Sequence, residues 1–346
     1  MASKRRNDST LWVAAGAARF AGDARNQAVR HLSQKPSRVW QHGNLLAALH
    51  VATRVHGSRV AAMHAVCAPL GFSPDLHETP NALTERFCET MAADLASASL
   101  YVMSPEMTDV TAAAAITLRP DDLSRLRRSD VPTGAGLLVL PHALRLRNGA
   151  GDFADVRGLA WAPTTVARPG EDGLPGVRVT CLLDTYGREP TAAFHFFEQQ
   201  ARVAGDPLPA LLPDSVKSIT FGDRETSPDD DETDDLLATY RPGAPIHDPD
   251  GTFARRYLHA YWRLLRQRIA ANERIPVSHV PGPIRSGGPK QADVSLVRLI
   301  ERRDAGFVGA RAVEIKKRWP ARMHKNLTWC PIDRTHKPAW EGPFPA

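Results

Sequence analysis

Between Gly176 and Asp184 the chain reads GVRVTCLLD, with Val177, Val179, Cys181 and Leu183 alternating against Arg178 and Thr180. A period of two is that of a strand with one buried and one wetter face. Upstream, GLLVLPHALRL (136–146) and the run from Ala154 to Val166 share this apolar, β-branched character. Pro169-Gly170 and the Gly173–Gly176 stretch GLPG punctuate the segments as turns. Ser215 to Phe221 reads as a further strand, and Thr191 to Ala204 as a short helix. Nearer the C-terminus, 294–300, 312–317, 328–332 and 337–340 read as short strands.

On the N-terminal side the period changes to that of a helix, from about Leu11 to Leu118. Leu45, Leu49, Ala52 and Val55 recur at helical spacing, and Gly57 stands where a glycine would close that helix. Ser58 then caps a helix carrying Val60, Met63 and Cys67, which Pro69 stops. Thr79-Pro80 is a cap followed by proline in the first turn, opening a helix through Phe87, Met91 and Leu95. On the C-terminal side, Phe253, Tyr257, Tyr261, Leu265 and Ile269 form an i, i+4 stripe widened by Leu258, Trp262 and Leu264. That spacing predicts a helix over 253–272. The expectation is an α+β fold: a helical N-terminal region, then a mixed, mostly antiparallel β-rich part braced by one long amphipathic helix. The regions are 1–118 (helical), 119–222 (β-rich), 223–251 (acidic loop) and 252–346 (basic helix with a Trp-rich module).

Composition narrows the function classes. The 346 residues are 42% hydrophobic and 24% charged, an ordinary globular balance that excludes wholesale disorder. Cys67, Cys88, Cys181 and Cys330 stand far apart with no C-x-x-C, so neither a disulfide framework nor a zinc knuckle is expected, and reduced thiols in the cytoplasm are. No apolar run reaches the roughly 20 residues of a membrane helix. The N-terminal MASKRRNDSTLWVAAGAA imitates an export signal, but Asp8 interrupts its basic part and Arg19 ends its apolar part, so a helix entry is expected instead. The net charge of +6 is unevenly shared. From Thr252 to Ala346 there are 19 Lys/Arg against 7 Asp/Glu, leaving −6 on the first 251 residues. A basic quarter on an acidic body implies an anionic partner or an internal electrostatic clamp.

Catalytic signatures are scarce. There is no Walker A loop, no H-E-x-x-H, no nucleophile elbow and no G-x-G-x-x-G after a strand. His42, His50, His56 and His64 miss the i, i+3 or i, i+4 spacing of helical metal ligands, so neither metal nor other cofactor is expected. Asp223 to Asp235 holds eight acids and one arginine; it lacks the glycine and terminal glutamate of a calcium loop and reads as a mobile loop. Asp304, Glu314 and Lys316 follow a D…E-x-K spacing, in which two carboxylates hold Mg²⁺ and the lysine polarises a phosphate. They carry the alternative reading, a metal-dependent nuclease. Arg255, Arg256, Arg263, Arg266 and Arg268 on the predicted helix could track nucleic-acid phosphates or face water. Denser than either is the stretch RWPARMHKNLTWCPIDRTHKPAW (318–340), which packs three of the seven tryptophans into 22 residues. Trp319, Arg322, His324, Trp329, His336 and Trp340 are its candidate binding residues, because clustered Trp and Arg suit a partner interface or a stacking platform.

That segment resembles the C-terminal signature of a large group of uncharacterised proteins from actinobacteria and their mobile elements. Arg318-Trp319, Arg322, His324, Trp329, Pro331, His336-Lys337-Pro338, Trp340 and Pro343 carry the likeness. Looser likeness runs upstream through Gly136–Pro141, Val156–Pro163, Gly176–Thr180 and Leu258–Ala270. Met323, Lys325 and Glu341 depart from the pattern. The group is similar in turn to an anti-CRISPR family that suppresses biogenesis of the type V effector nuclease, recognising the effector's nascent polypeptide without enzymatic activity. The resemblance implies a non-enzymatic binding protein in a mobile-element or phage–host conflict setting, with a protein, nascent polypeptide or ribonucleoprotein as partner; no membrane is expected, for want of a long apolar run. It names no target.

Overall fold

A computed structural model describes residues 13–72, 75, 77–118, 126–149, 151–168, 171–186, 192–206, 208–221, 240–249, 251–267, 270–275, 294–299, 324–330 and 335–341. Four helices open the chain: α1 (Ala14–Leu32), α2 (Lys35–His56), α3 (Arg59–Cys67) and α4 (Pro80–Ser97). Their boundaries follow local chemistry. Gly57 takes a left-handed φ of 69° behind α2, a conformation glycine adopts without strain. The Ser58 hydroxyl accepts from the Ala61 N–H, and that of Thr79 accepts from the Ala82 N–H, satisfying donors that an uncapped helix leaves open.

Within the stretch read as wholly helical lies a strand, β1 (Ser99–Met103), followed at once by α5 (Pro105–Ile116). Ser104 caps α5 by accepting from Met107 N–H, with Pro105 in its first turn. After α5 come β2 (Gly136–Arg147), β3 (Phe153–Arg168), β4 (Glu171–Asp184), α6 (Ala192–Val203), β5 (Leu211–Thr220) and the two-residue β6 (Ile246–His247). Then follow α7 (Phe253–Leu264), β7 (Ala270–Ile275), β8 (Val294–Leu299) and a hairpin of β9 (His324–Cys330) and β10 (Thr335–Glu341). The chain is thus α+β, with one eight-stranded mixed sheet in the order β5-β4-β3-β2-β1-β8-β7 and β6 beside the end of β2. β2 to β5 pair antiparallel in succession, as do β7 and β8. β1 runs parallel to both of its neighbours, β2 and β8.

Two apolar cores sit on the two faces of this sheet. One joins Met103, Leu138, Leu159, Val179 and Cys181 to α5 and α7. The other joins Val102, Leu137, Ala160 and Leu182 to α1, α3 and α4. The face of β4 expected to be wetter is therefore covered: Arg178 is 7% and Thr180 4% exposed. Arg178 tolerates burial because every arm of its guanidinium finds an acceptor. Nε and Nη2 donate to Asp94 at 2.9 and 2.7 Å, and Nη1 donates to the Leu70 carbonyl. Burial raises the Asp94 pKa more than the neighbouring Arg178 lowers it.

On the other face the aromatic stripe of α7 is buried as expected, with Phe253, Tyr257, Tyr261 and Trp262 all at 1% exposure or less. Tyr261 meets Tyr101 edge-on at 6.1 Å and Trp161 at 6.2 Å, while Trp161 meets Trp262 at 5.8 Å. Gly136 begins β2 under the Trp161 ring, where a Cβ would collide with it. The helix is shorter than its spacing predicts. It ends at Leu264, and from Ala270 the backbone pairs with β8, with Asn272, Glu273 and Arg274 exposed. Edge pairing takes those residues because β8 would otherwise offer open donors and acceptors. The acidic run 223–235 lies outside the described residues.

The Tyr261 hydroxyl is buried and has no hydrogen-bond partner among the described residues, and burial holds its pKa well above the usual value. Tyr261→Ala should cost about 3 kcal/mol or more in urea denaturation, whereas Tyr261→Phe should be neutral or stabilising because it removes an unpaired polar group. A second expectation concerns His31, which is 2% exposed at the end of α1 and edge-on to Phe197 of α6 at 6.1 Å. Burial pushes its pKa down to about 4, offset in part by Asp206 and Gln34. The unfolded chain binds this proton near the ordinary value of 6.5, so stability is present above that pH and is lost as pH falls from 6.5 toward 4. Between pH 7 and pH 5 the wild type should lose about 2 kcal/mol more than His31→Leu in parallel denaturation curves.

Candidate binding surface

The C-terminal hairpin forms a two-stranded sheet separate from the main one. Its register pairs Trp329 with His336, Leu327 with Pro338 and Lys325 with Trp340. Directly paired residues of an antiparallel ladder share a face, and successive residues alternate. Trp329, His336 and Trp340 therefore occupy register positions on one face, together with Leu327, Pro338 and Lys325. His324 pairs with Glu341 and takes the opposite face. The candidate set is thus brought together in part: three members on one face, one on the other. Trp319 and Arg322 lie outside the described residues, as do Asp304, Glu314 and Lys316 of the nuclease reading.

The arginines of α7, and Arg266 just beyond its end, are engaged with the body of the protein. Asp130, 6% exposed, receives Arg266 Nη1 at 2.7 Å and Arg263 Nη2 at 3.9 Å, and its Oδ2 also accepts from the Arg127 N–H at 2.9 Å. At the other end of the helix, Asp248 accepts from the Phe253 N–H at 3.0 Å and stands 4.0 Å from Arg256. Arg255 reaches the Ser218 carbonyl at 3.5 Å. A negative group at the helix start also meets the positive end of its dipole. Of the two uses that the charge pattern allowed, these contacts are those of an internal clamp. Arg268 lies outside the described residues.

One polar cluster escaped the sequence reading. Asp109 of α5 accepts from the Tyr240 hydroxyl at 2.7 Å and stands 3.5 Å from Nε2 of His142 on β2. The register of β2 against β3 shifts between Val139 and Leu144, and Arg157 donates to the Leu140 and Pro141 carbonyls that the shift sets free. Such irregularities re-aim side chains. The signal was Pro141, since a proline inside a strand marks a break in the ladder. Burial first, then the adjacent Asp109, raises the Tyr240 pKa far above its usual value, so the phenol stays a donor. The carboxylate can orient the imidazole, an arrangement a proton-transferring histidine requires. His42 bonds Thr84 at 3.2 Å, and among the described residues no three His, Cys, Asp or Glu stand close enough to hold a metal ion.

The clamp separates two substitutions. Asp130→Ala removes a buried acceptor from a backbone donor and two guanidinium groups, and should cost about 1–3 kcal/mol in urea denaturation. Arg266→Ala, with its side chain half-exposed, should cost under about 1 kcal/mol. Equal costs would place the stabilisation in the charge pair alone.

No protein-family model matches the sequence, and no curated protein matches it.

Proposed function

We propose that this protein is a non-enzymatic binding protein, anti-CRISPR-like in its mobile-element or phage–host setting, that engages a protein, nascent polypeptide or ribonucleoprotein through its C-terminal hairpin. The observation that carries the reading is the register that groups Trp329, His336, Pro338 and Trp340 on one face. A two-stranded hairpin alone is marginally stable in water, so an aromatic face on one gains from a covering partner. Tryptophan anchors can supply most of the energy of such an interface. Arg322 joins the proposed surface through its place in the same signature. The arginines of α7 contribute less to this reading, because their contacts are with Asp130, Asp248 and Ser218.

The test is capture of partners by the full-length tagged chain from its native host, followed by reconstitution with the purified partner. His336→Ala, Trp340→Ala and Arg322→Ala should each weaken the purified pair about tenfold or more. His324→Ala, on the other face, should bind as the wild type does. A peptide held in an aromatic groove should lose little affinity between about 50 and 200 mM salt, whereas a nucleic acid held through many phosphates should lose orders of magnitude. Wild-type binding by all three variants would overturn the proposal. So would cleavage of DNA or RNA with Mg²⁺ that disappears in Glu314→Ala and Lys316→Ala.

A further inference from the structure

The main sheet has two edges, and they are finished differently. At the β5 edge, the Pro213 carbonyl accepts from Gln41 of α2 at 2.7 Å and the Ser218 carbonyl from Arg255 of α7 at 3.5 Å. The other edge is β7 (AANERI), where among the described residues no backbone group from Ala271 to Ile275 bonds anything but β8. The antiparallel pairs of β2 with β3, β3 with β4 and β4 with β5 each carry a shift of register. β7 and β8 pair from Ala270 against Leu299 to Ile275 against Val294 without one. β7 contains neither proline nor lysine, and Asn272, Glu273 and Arg274 at its middle are exposed. Bulges, prolines and lysines are common means by which a sheet edge refuses a further strand. A regular edge without them accepts one through its unpaired backbone groups.

The charges on β7 decide which strand fits. Side chains alternate, so Ala271, Glu273 and Ile275 share one sheet face with Arg298 of β8, while Asn272 and Arg274 take the other. Glu273 meets Arg298 at 2.6 Å and its side chain stays 49% exposed, with room for a second arginine. A second copy approaching antiparallel, about a two-fold axis normal to the sheet, keeps these faces aligned and sets one residue opposite itself. Glu273 on the axis would oppose two carboxylates and Arg274 two guanidinium groups, and like charges directly across a ladder are destabilising. Ala271 on the axis would pair only Ala270 to Asn272. Asn272 on the axis pairs Ala270 to Arg274 and opposes no like charges: amide meets amide, Glu273 faces the short Ala271 of the second copy, and Arg274 faces its Ala270. Across that Ala271 stands Arg298 of the second copy, because Ala271 and Arg298 are directly paired. Each glutamate then lies between its own Arg298 and that of the other copy. We propose that β7 is an isologous dimer edge, pairing antiparallel with β7 of a second copy about Asn272 and joining the two main sheets into one. Every contact off the axis then occurs twice.

Sedimentation equilibrium of the full chain over a range of concentrations should show a dimer, and alternate amides between Ala271 and Ile275 should exchange more slowly as that dimer fills. Asn272→Lys sets two ammonium groups against each other on the axis and should raise the Kd about tenfold or more, with an unchanged melting temperature because the site is exposed. Cross-linking reads the register. In a Cys330→Ser background, whose Cys67, Cys88 and Cys181 are buried, Asn272→Cys should give a disulfide-linked dimer on oxidation. Directly opposed Cα atoms stand about 4.5–5.5 Å apart, within the span of a disulfide. Glu273→Cys should give none, since its two copies are diagonal neighbours about 8 Å apart. A chain that stays monomeric at every concentration overturns the proposal. A dimer indifferent to Asn272→Lys, or one that leaves the β7 amides unprotected, does so too, because the contact then lies elsewhere. Cross-linking at position 273 and not at 272 equally overturns it, since the strands then meet in another register.

Discussion

A strand with parallel neighbours on both sides cannot reach either of them by a tight turn, and Ser99–Met103 is such a strand. Each connection must leave the sheet and return, which gives helices reason to lie over it. Parallel pairing also requires both faces to be covered, because the returning segments lie on them. The two cores follow from this constraint. Met103 faces α5 and α7 from one side of the sheet, while Val102 faces the N-terminal helices from the other. The antiparallel strands β2 to β5 could have kept a solvated face had they stood alone. Joined to β1, they lie under the same two layers, and Arg178 on β4 becomes an interior residue that needs Asp94 and the Leu70 carbonyl.

The segregation of charge along the chain has a physical outcome in the same frame. The acidic body meets the basic quarter at both ends of α7, at Asp248 near its start and at Asp130 near its end. Both carboxylates are at least nine-tenths buried and both accept from backbone N–H groups as well as facing arginines. Their value therefore lies as much in terminating backbone segments as in Coulomb attraction, which exposed guanidinium groups supply only weakly.

What could be read in advance was whatever local chemistry decides. Gly57, Ser58 and Thr79-Pro80 mark helix ends because capping needs only neighbours in sequence. The aromatic stripe of α7 was legible because one face of a helix has a period. β1 was not, since a five-residue strand buried on both faces shows no alternation and sits between two well-capped helices. The end of α7 was hidden as well: Leu265 and Ile269 continue the helical spacing, and only the open edge of β8 diverts the backbone. On α2, Leu45 is buried but Val55 of the same stripe is 72% exposed, because burial there is set by packing on α4 and β5 and not by hydrophobicity. In the candidate surface, the cluster of Trp, His and Arg was visible as composition. The division of His324 from His336 was not, because it depends on strand register. Asp109, Tyr240 and His142 come from three distant segments, and only Pro141 announced the irregularity that aims one of them.

The pairing of β1 with β8 joins residues nearly two hundred positions apart in the chain. During synthesis from the N-terminus, Ser99–Met103 emerges long before Val294–Leu299. At ordinary rates of translation that delay is roughly 10–40 s. Throughout it the central strand has an unsatisfied edge, and the N-terminal helices cover a sheet that is still missing its far side. Contacts this distant in sequence also slow folding once the chain is complete. The nascent chain thus carries an unpaired strand edge for much of its time on the ribosome, the kind of edge that makes an incomplete fold prone to aggregation.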